Sequence, residues 1–108
     1  MTIAHVTENF AVSPQIYPDE VAALAAQGFV AVVCNRPDDE EPGQPAAAEI
    51  QAACDTAGIA FHHIPFASMP IQEALIEAMR KALADSDGPV IGYCRSGQRS
   101  QLIWAASA

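Results

Sequence analysis

The sequence predicts an α/β domain built on a parallel sheet flanked by helices, and three observations predict it. Gly28, Gly58 and Gly88 fall thirty residues apart, and each precedes an apolar run: Phe29-Val-Ala-Val-Val-Cys34, Ile59-Ala-Phe-His-His-Ile64 and Pro89-Val-Ile-Gly-Tyr-Cys94. Between the runs, apolar residues recur at helical spacing, through Ala46, Ile50, Ala53, Cys54 and Ala57 and then through Ile71, Leu75, Met79, Ala82 and Leu83. The first and third runs are almost continuously apolar, as strands buried on both faces are, so the three strands should run the same way in βαβ units.

The elements follow in order. Ile3 to Val6 and Asn9 to Val12 are short apolar pieces around Thr7-Glu8, compatible with a hairpin at the sheet edge. Pro18-Asp19-Glu20 opens a helix, with proline in the first turn and acids at the positive end of the dipole, and Gln27-Gly28 ends it. A glycine just past a helix is a stop signal, and each of the three periodic glycines is expected to serve as one. Asn35 to Pro45 is a long, acidic, proline-rich loop, a kind often functional when it lies at the carboxyl rim of a sheet. The whole chain, residues 1–108, is read as one domain.

The chemistry gathers at one turn. A strand ending at Cys94 passes through Arg95, Ser96, Gly97 and Gln98 into a helix that Arg99 and Ser100 open. Such a turn points several backbone N–H groups at one spot, and the unpaired amides and dipole of a helix start favour an anion there. Cys94 sits where its own thiolate would be that anion. A free thiol ionises near ~8.5 and is mostly protonated at neutral pH; amides and a guanidinium would lower that value and make it a nucleophile. Gly97 lets the backbone take a positive φ and approach a ligand closely.

Charge distribution supports a small-anion site. The net charge of −8, with only five Lys and Arg residues, excludes nucleic acid and an anionic membrane surface as expected partners. Arg36, Arg95 and Arg99 nevertheless all lie just beyond predicted strand ends, at the rim where open sheets bind ligands. Three cysteines without a signal-like start suggest free thiols in a reducing cytoplasm, and no apolar stretch is long enough to span a bilayer. His5, His62 and His63 make no recognisable metal-binding spacing, so neither a metal nor another cofactor is expected.

The residues Asn35-Arg36-Pro37-Asp38, Glu41-Pro-Gly-Gln-Pro45, His63-Ile-Pro65, Gly88-Pro-Val and Tyr93-Cys-Arg-Ser-Gly97 with Arg99-Ser100 resemble, as a set, a family of small bacterial phosphatase-like domains. These are found alone or joined to beta-lactamase-like hydrolases. The resemblance implies the fold of the dual-specificity tyrosine phosphatases, with a cysteine loop as active site; some relatives are described as sulfurtransferases. Phosphatases of this type place five residues between cysteine and arginine, whereas four separate Cys94 from Arg99, a spacing similar to the rhodanese loop. Nor does the loop Pro65 to Pro70 carry the aspartate that phosphatases use as general acid, which leaves Asp38 as the substitute.

The leading expectation is therefore rhodanese-like sulfur transfer from thiosulfate or a persulfide, with Cys94 as nucleophile and Arg99 stabilising it. The substrate anion would be held by Arg95, Ser96, Gly97, Gln98, Ser100 and Arg36. The alternative is a phosphatase acting on a phosphoester through phosphocysteine, with Asp38 as acid, and the third reading is a non-catalytic anion-binding module. Arg36 is either an anion ligand or a partner for the acidic run Asp38 to Glu41; Cys34 is either a core residue or a second, resolving thiol. Oligomeric state is left open by the sequence.

Overall fold

The computed structural model describes residues 2–108, ordered as β1 (Ala4–Thr7), β2 (Phe10–Ser13), a 3-10 turn (Pro18–Glu20), α1 (Val21–Ala26), β3 (Ala31–Cys34), α2 (Ala47–Ala57), β4 (Ala60–His63), α3 (Glu73–Ala84), β5 (Val90–Tyr93) and α4 (Gln98–Ala106). The five strands form one mixed sheet in the order β1-β2-β5-β3-β4. β3, β4 and β5 run parallel, as the thirty-residue beat predicts. The expected hairpin is present, but only β1 lies at the edge. β2 pairs in parallel with β5, Phe10 opposite Val90 through Ser13 opposite Tyr93, and so joins the interior of the sheet.

Alternation along the interior strands sorts the apolar side chains into two layers. Ala11, Val32, Cys34, Ile91 and Tyr93 face α1 and α2, where they pack with Leu24, Ile50 and Cys54. Phe10, Val12, Ala31, Val33 and Val90 face the other way and pack with Met79, Ala82 and Ile103 of α3 and α4. Trp104 seals α4 to the sheet by stacking on Phe10, with ring centroids 5.6 Å apart. Burying each large aliphatic side chain in these layers contributes roughly 1.5–3 kcal/mol. Among the described residues no helix is long and apolar enough to cross a membrane.

Two of the three periodic glycines act as expected. Gly28 follows α1 and Gly58 follows α2, both at positive φ. Gly88 does not cap a helix: α3 ends at Ala84, and this glycine stands on the approach to β5, where an added Cβ would lie 3.1 Å from Val30 Cγ1. Gly92, inside β5, leaves room for α4 to press on the sheet. A Cβ there would meet Ser100 Cβ at 3.1 Å and the Phe10 ring at 3.2 Å.

Candidate active site

β3, β4 and β5 are parallel and nearly in register, so their carboxyl ends deliver three loops to one rim: Asn35–Pro45, Pro65–Pro70 and Cys94–Gly97. Short hydrogen bonds lock them side by side. The Asn35 N–H donates to the Tyr93 carbonyl at 2.8 Å, the Ile64 N–H to the Cys34 carbonyl at 2.8 Å, and Asn35 Nδ2 to the Ile64 carbonyl at 2.9 Å.

Cys94 lies at the floor of the turn and is 0 % exposed. The Gly97 N–H donates to its Sγ at 3.0 Å. Gly97 can do this because it sits at φ 95° as the residue before α4, with the Ser13 carbonyl 3.4 Å from where a Cβ would stand. Burial by itself would raise the Cys94 pKa. The backbone N–H groups of Ser100, Ser96, Gly97 and Arg99 outweigh it, so the thiol ionises below its ordinary value. Arg99 stands alongside, its own pKa raised first by Glu40 and further by the Cys94 sulfur.

The other predicted residues separate into groups. Ser100 is fully buried, and its Oγ has no protein partner among the described residues, as a hydroxyl held for a ligand or for the sulfur would be. Ser96 Oγ accepts the Gln98 N–H at 3.3 Å and shapes the turn. Arg95 projects outward with 71 % of its side chain exposed and only a 3.9 Å approach to Glu41. Arg36 takes the second of its two readings: it is 1 % exposed and every donor group is engaged, Nε with Glu40 at 2.9 Å, Nη1 with Gln15 at 2.8 Å and Nη2 with Glu41 at 2.8 Å. Buried and tied down at all three nitrogens, Arg36 is a partner of the acidic loop and not a free cation at the rim. Asp38 is exposed, but its Oδ1 accepts the Ala47 N–H at 2.8 Å, satisfying a donor at the start of α2.

Cys34 belongs to the core. It is paired with Tyr93 in register and shares the α1–α2 face with it, so alternation sends Cys94 elsewhere. Its thiol donates to the Arg36 carbonyl at 3.3 Å, and burial pushes its pKa up, which suits an inert thiol rather than a resolving one. Cys54, buried on α2, is likewise pushed up to about 11. His63 approaches the same Arg36 carbonyl, with Nε2 at 3.2 Å.

Glu40 and Glu41 bear out the expected pairing of Arg36 with the acidic run, but sequence reasoning missed the reach of Glu40 to Arg99, Gln15 and the Phe66 carbonyl. Glu40 grips Arg99 at both ends of its carboxylate, Oε2 to Nη1 and Oε1 to Nη2, each at 2.8 Å, while the Phe66 carbonyl accepts from Nη1 at 3.0 Å. The acidic run beside Arg36 pointed to the glutamates as its partners; nothing in the sequence marked Gln15 or tied Glu40 to Arg99. Two clefts, of about 490 and 530 Å³, are lined by residues other than Cys94. One sits at the amino ends of β2 and β5 beside Trp104, the other against the loop Pro65–Pro70.

Hydrogen bonds from Arg99, and then from Arg36, hold the Glu40 carboxyl down at about 2 against the opposing effect of its partial burial. A carboxyl with a depressed folded pKa adds stability at pH above its ordinary 4.5, and that stability drains away as pH falls from there through about 2. Glu40→Gln should therefore flatten the dependence of unfolding free energy on pH between about 5 and 2. Denaturant melts across that range check this, and an unchanged slope in the variant would refute the Glu40 assignment.

The chain is similar to beta-lactamase hydrolase-like and phosphatase-like proteins. A Xylella fastidiosa protein named beta-lactamase hydrolase-like protein is 37 % identical over 107 residues, covering 99 % of this chain and 25 % of that one. The chain thus spans about a quarter of the length of the curated relatives it matches. Among solved structures, a candidate phosphatase from Neisseria meningitidis superposes with a TM-score of 0.85 at 36 % identity, over 96 % of this chain and 74 % of that one. TpbA of P. aeruginosa, solved in complex with pTyr, shares the fold at a TM-score of 0.66 and 19 % identity, over 94 % of this chain and 58 % of that one. The sheet and its flanking helices share the fold of these solved phosphatase structures. The family described as "Beta-lactamase hydrolase-like protein, phosphatase-like domain" matches residues 2–108, and the chain belongs to it.

Proposed function

We propose that this domain is a cysteine-dependent hydrolase of phosphate monoesters. The observation that carries the reading is the stabilised sulfur. Loop amides turned on Cys94 Sγ, with Arg99 beside it, suit both a thiolate and the equatorial oxygens of a phosphoryl group above it. In the first step the thiolate attacks phosphorus, a P–S bond forms, and the P–O ester bond breaks with its electron pair leaving on the alcohol or phenol oxygen. In the second, water attacks phosphorus, the P–S bond breaks, and the thiolate returns as inorganic phosphate departs. Water supplies the proton the leaving oxygen finally carries, so the sum is ester plus water giving alcohol plus phosphate.

This reverses the ranking expected from the sequence. The relatives and neighbours are phosphatase-like, and they support the phosphoester reading over sulfur transfer. Sulfur transfer stays as the second reading on one observation: four residues separate Cys94 from Arg99, and Pro65 to Pro70 offers no carboxylic acid. There the thiolate would attack the outer sulfur of thiosulfate, sulfite would leave with the S–S bonding pair, and a persulfide would remain on Cys94.

One pair of measurements separates the two. Purified protein should turn over an aryl phosphate and trap a phosphorylated Cys94, and should gain no sulfur mass from thiosulfate; the opposite pattern inverts the assignment. The role of Asp38 is tested alongside. Asp38→Asn keeps the Oδ1 acceptor for Ala47 and removes only the acid, so as general acid it should lower alkyl phosphate turnover about 10²–10⁴-fold and leave an activated aryl phosphate nearly unaffected. Equal rates on both substrates would reduce Asp38 to a helix cap.

A further inference from the structure

Arg99 is held by its far end. A guanidinium has five N–H donors. The two on Nη1 are taken by Glu40 Oε2 and the Phe66 carbonyl, and one of those on Nη2 by Glu40 Oε1. What remains is the Nε–Nη2 edge, two parallel donors of the kind that grip a tetrahedral anion. With the other end fixed on Glu40 and the Phe66 carbonyl, that edge is the part of Arg99 left for the neighbouring Cys94 site, whose sulfur also helps to raise the Arg99 pKa. Glu40, in turn, is fixed from behind. Arg36 Nε donates to the same Oε1 that Arg99 uses, and Arg36 cannot swing away because it is buried and tied to Gln15 and Glu41. An unbroken chain of charge-assisted bonds therefore runs Arg36, Glu40, Arg99.

We propose that Glu40 is the positioning residue of this site: clamped by buried Arg36, it takes the Nη1–Nη2 end of Arg99 and so turns the Nε–Nη2 edge onto the anion above Cys94. The proposal rests on the reading of Arg99 as anion ligand. Aim and charge make opposite demands on Glu40, which makes them separable. A carboxylate this near the site repels an incoming anion, so a mere counter-charge would hinder binding, whereas a positioning group would help it.

The probe is alkylation of Cys94 by anionic iodoacetate relative to neutral iodoacetamide, a ratio that needs no turnover. Glu40→Asp keeps the charge and shortens the reach; the ratio should fall about tenfold, while the iodoacetamide rate stays within about twofold. Arg36→Lys keeps the charge at the buried position but cannot hold three partners, and the ratio should fall in the same direction although Arg36 touches no anion. Inhibition by tungstate should weaken in parallel. A wild-type ratio in Glu40→Asp overturns the proposal. So does a raised ratio in Glu40→Gln, the reading that serves if the aspartate variant fails to fold. A wild-type protein no more selective for iodoacetate than a free thiol removes Arg99 as ligand and the proposal with it. Failure of the phosphatase reading looks different: no ester is hydrolysed, yet the ratio still drops in Glu40→Asp.

Discussion

Cys94→Ser should abolish aryl phosphate turnover, with a loss of about 10⁴-fold or more, while leaving the fold intact. Serine is nearly the same size, so the fully buried site neither opens a cavity nor is overfilled. What changes is ionisation. The amides of Ser100, Ser96, Gly97 and Arg99 lower the pKa of a thiol and so favour its thiolate, but a hydroxyl starts far higher and stays protonated in the same cradle. The pH profile carries the same information. Below the lowered Cys94 pKa the thiol form dominates and kcat/KM falls; above it the rate levels off, at a pH lower than an ordinary thiol would require. Stability follows the rule for an acid whose folded pKa is depressed. The contribution is full above the unfolded thiol value and is lost as pH falls through the folded one, so Cys94→Ser should remove that part of the pH dependence. Measurable turnover surviving in the serine variant, or a wild-type profile rising only where free thiols ionise, would defeat the nucleophile assignment.

How much of this was legible in the sequence depends on the range of the interactions. The continuous apolar run Phe29–Cys34, the helical stripe through Ile50 and Cys54 and the turn after Cys94 are local patterns, and they translate directly into β3, α2 and the cysteine loop. Gly58 was legible for the same reason, since its left-handed backbone closes the helix immediately before it. Gly88 was not: the beat put it in step with Gly28 and Gly58, but Asp85 to Asp87 already separate it from α3, and its small size answers to Val30 instead. The parallel pairing of β2 with β5 joins residues some eighty positions apart, and no local pattern encodes it. At the site, Cys94, Gly97 and Arg99 were found because one turn contains them. Glu40 was missed because a carboxylate in an acidic run looks solvated, and only the folded loop brings it to an arginine 59 residues away. Arg36 was half legible: its rim position suggested a ligand and the adjacent acidic run a partner, and three partners, from Gln15 to Glu41, decide for the second.

Arg99→Lys is the second substitution from which a large effect is expected, and it isolates geometry from charge. Lysine retains the positive charge and can still reach toward Glu40, so stability should change little. It presents a single rotating ammonium where arginine presents a fixed edge, and so cannot meet two oxygens of the transferred group at once. Losing a bidentate, charge-assisted contact made most strongly in the transition state should cost about 3–4 kcal/mol, or roughly 10²–10³-fold in kcat/KM. The loss should fall mainly on kcat, since oxygens that gain charge on the way to the transition state depend on that edge more than the ground-state ester does. Alkylation by neutral iodoacetamide should change much less, because the amides that hold the thiolate are untouched. If the lysine variant instead matches the wild type in kcat/KM, the guanidinium edge plays no part in the chemistry, and the amide cradle of Cys94 must stabilise the phosphoryl group alone.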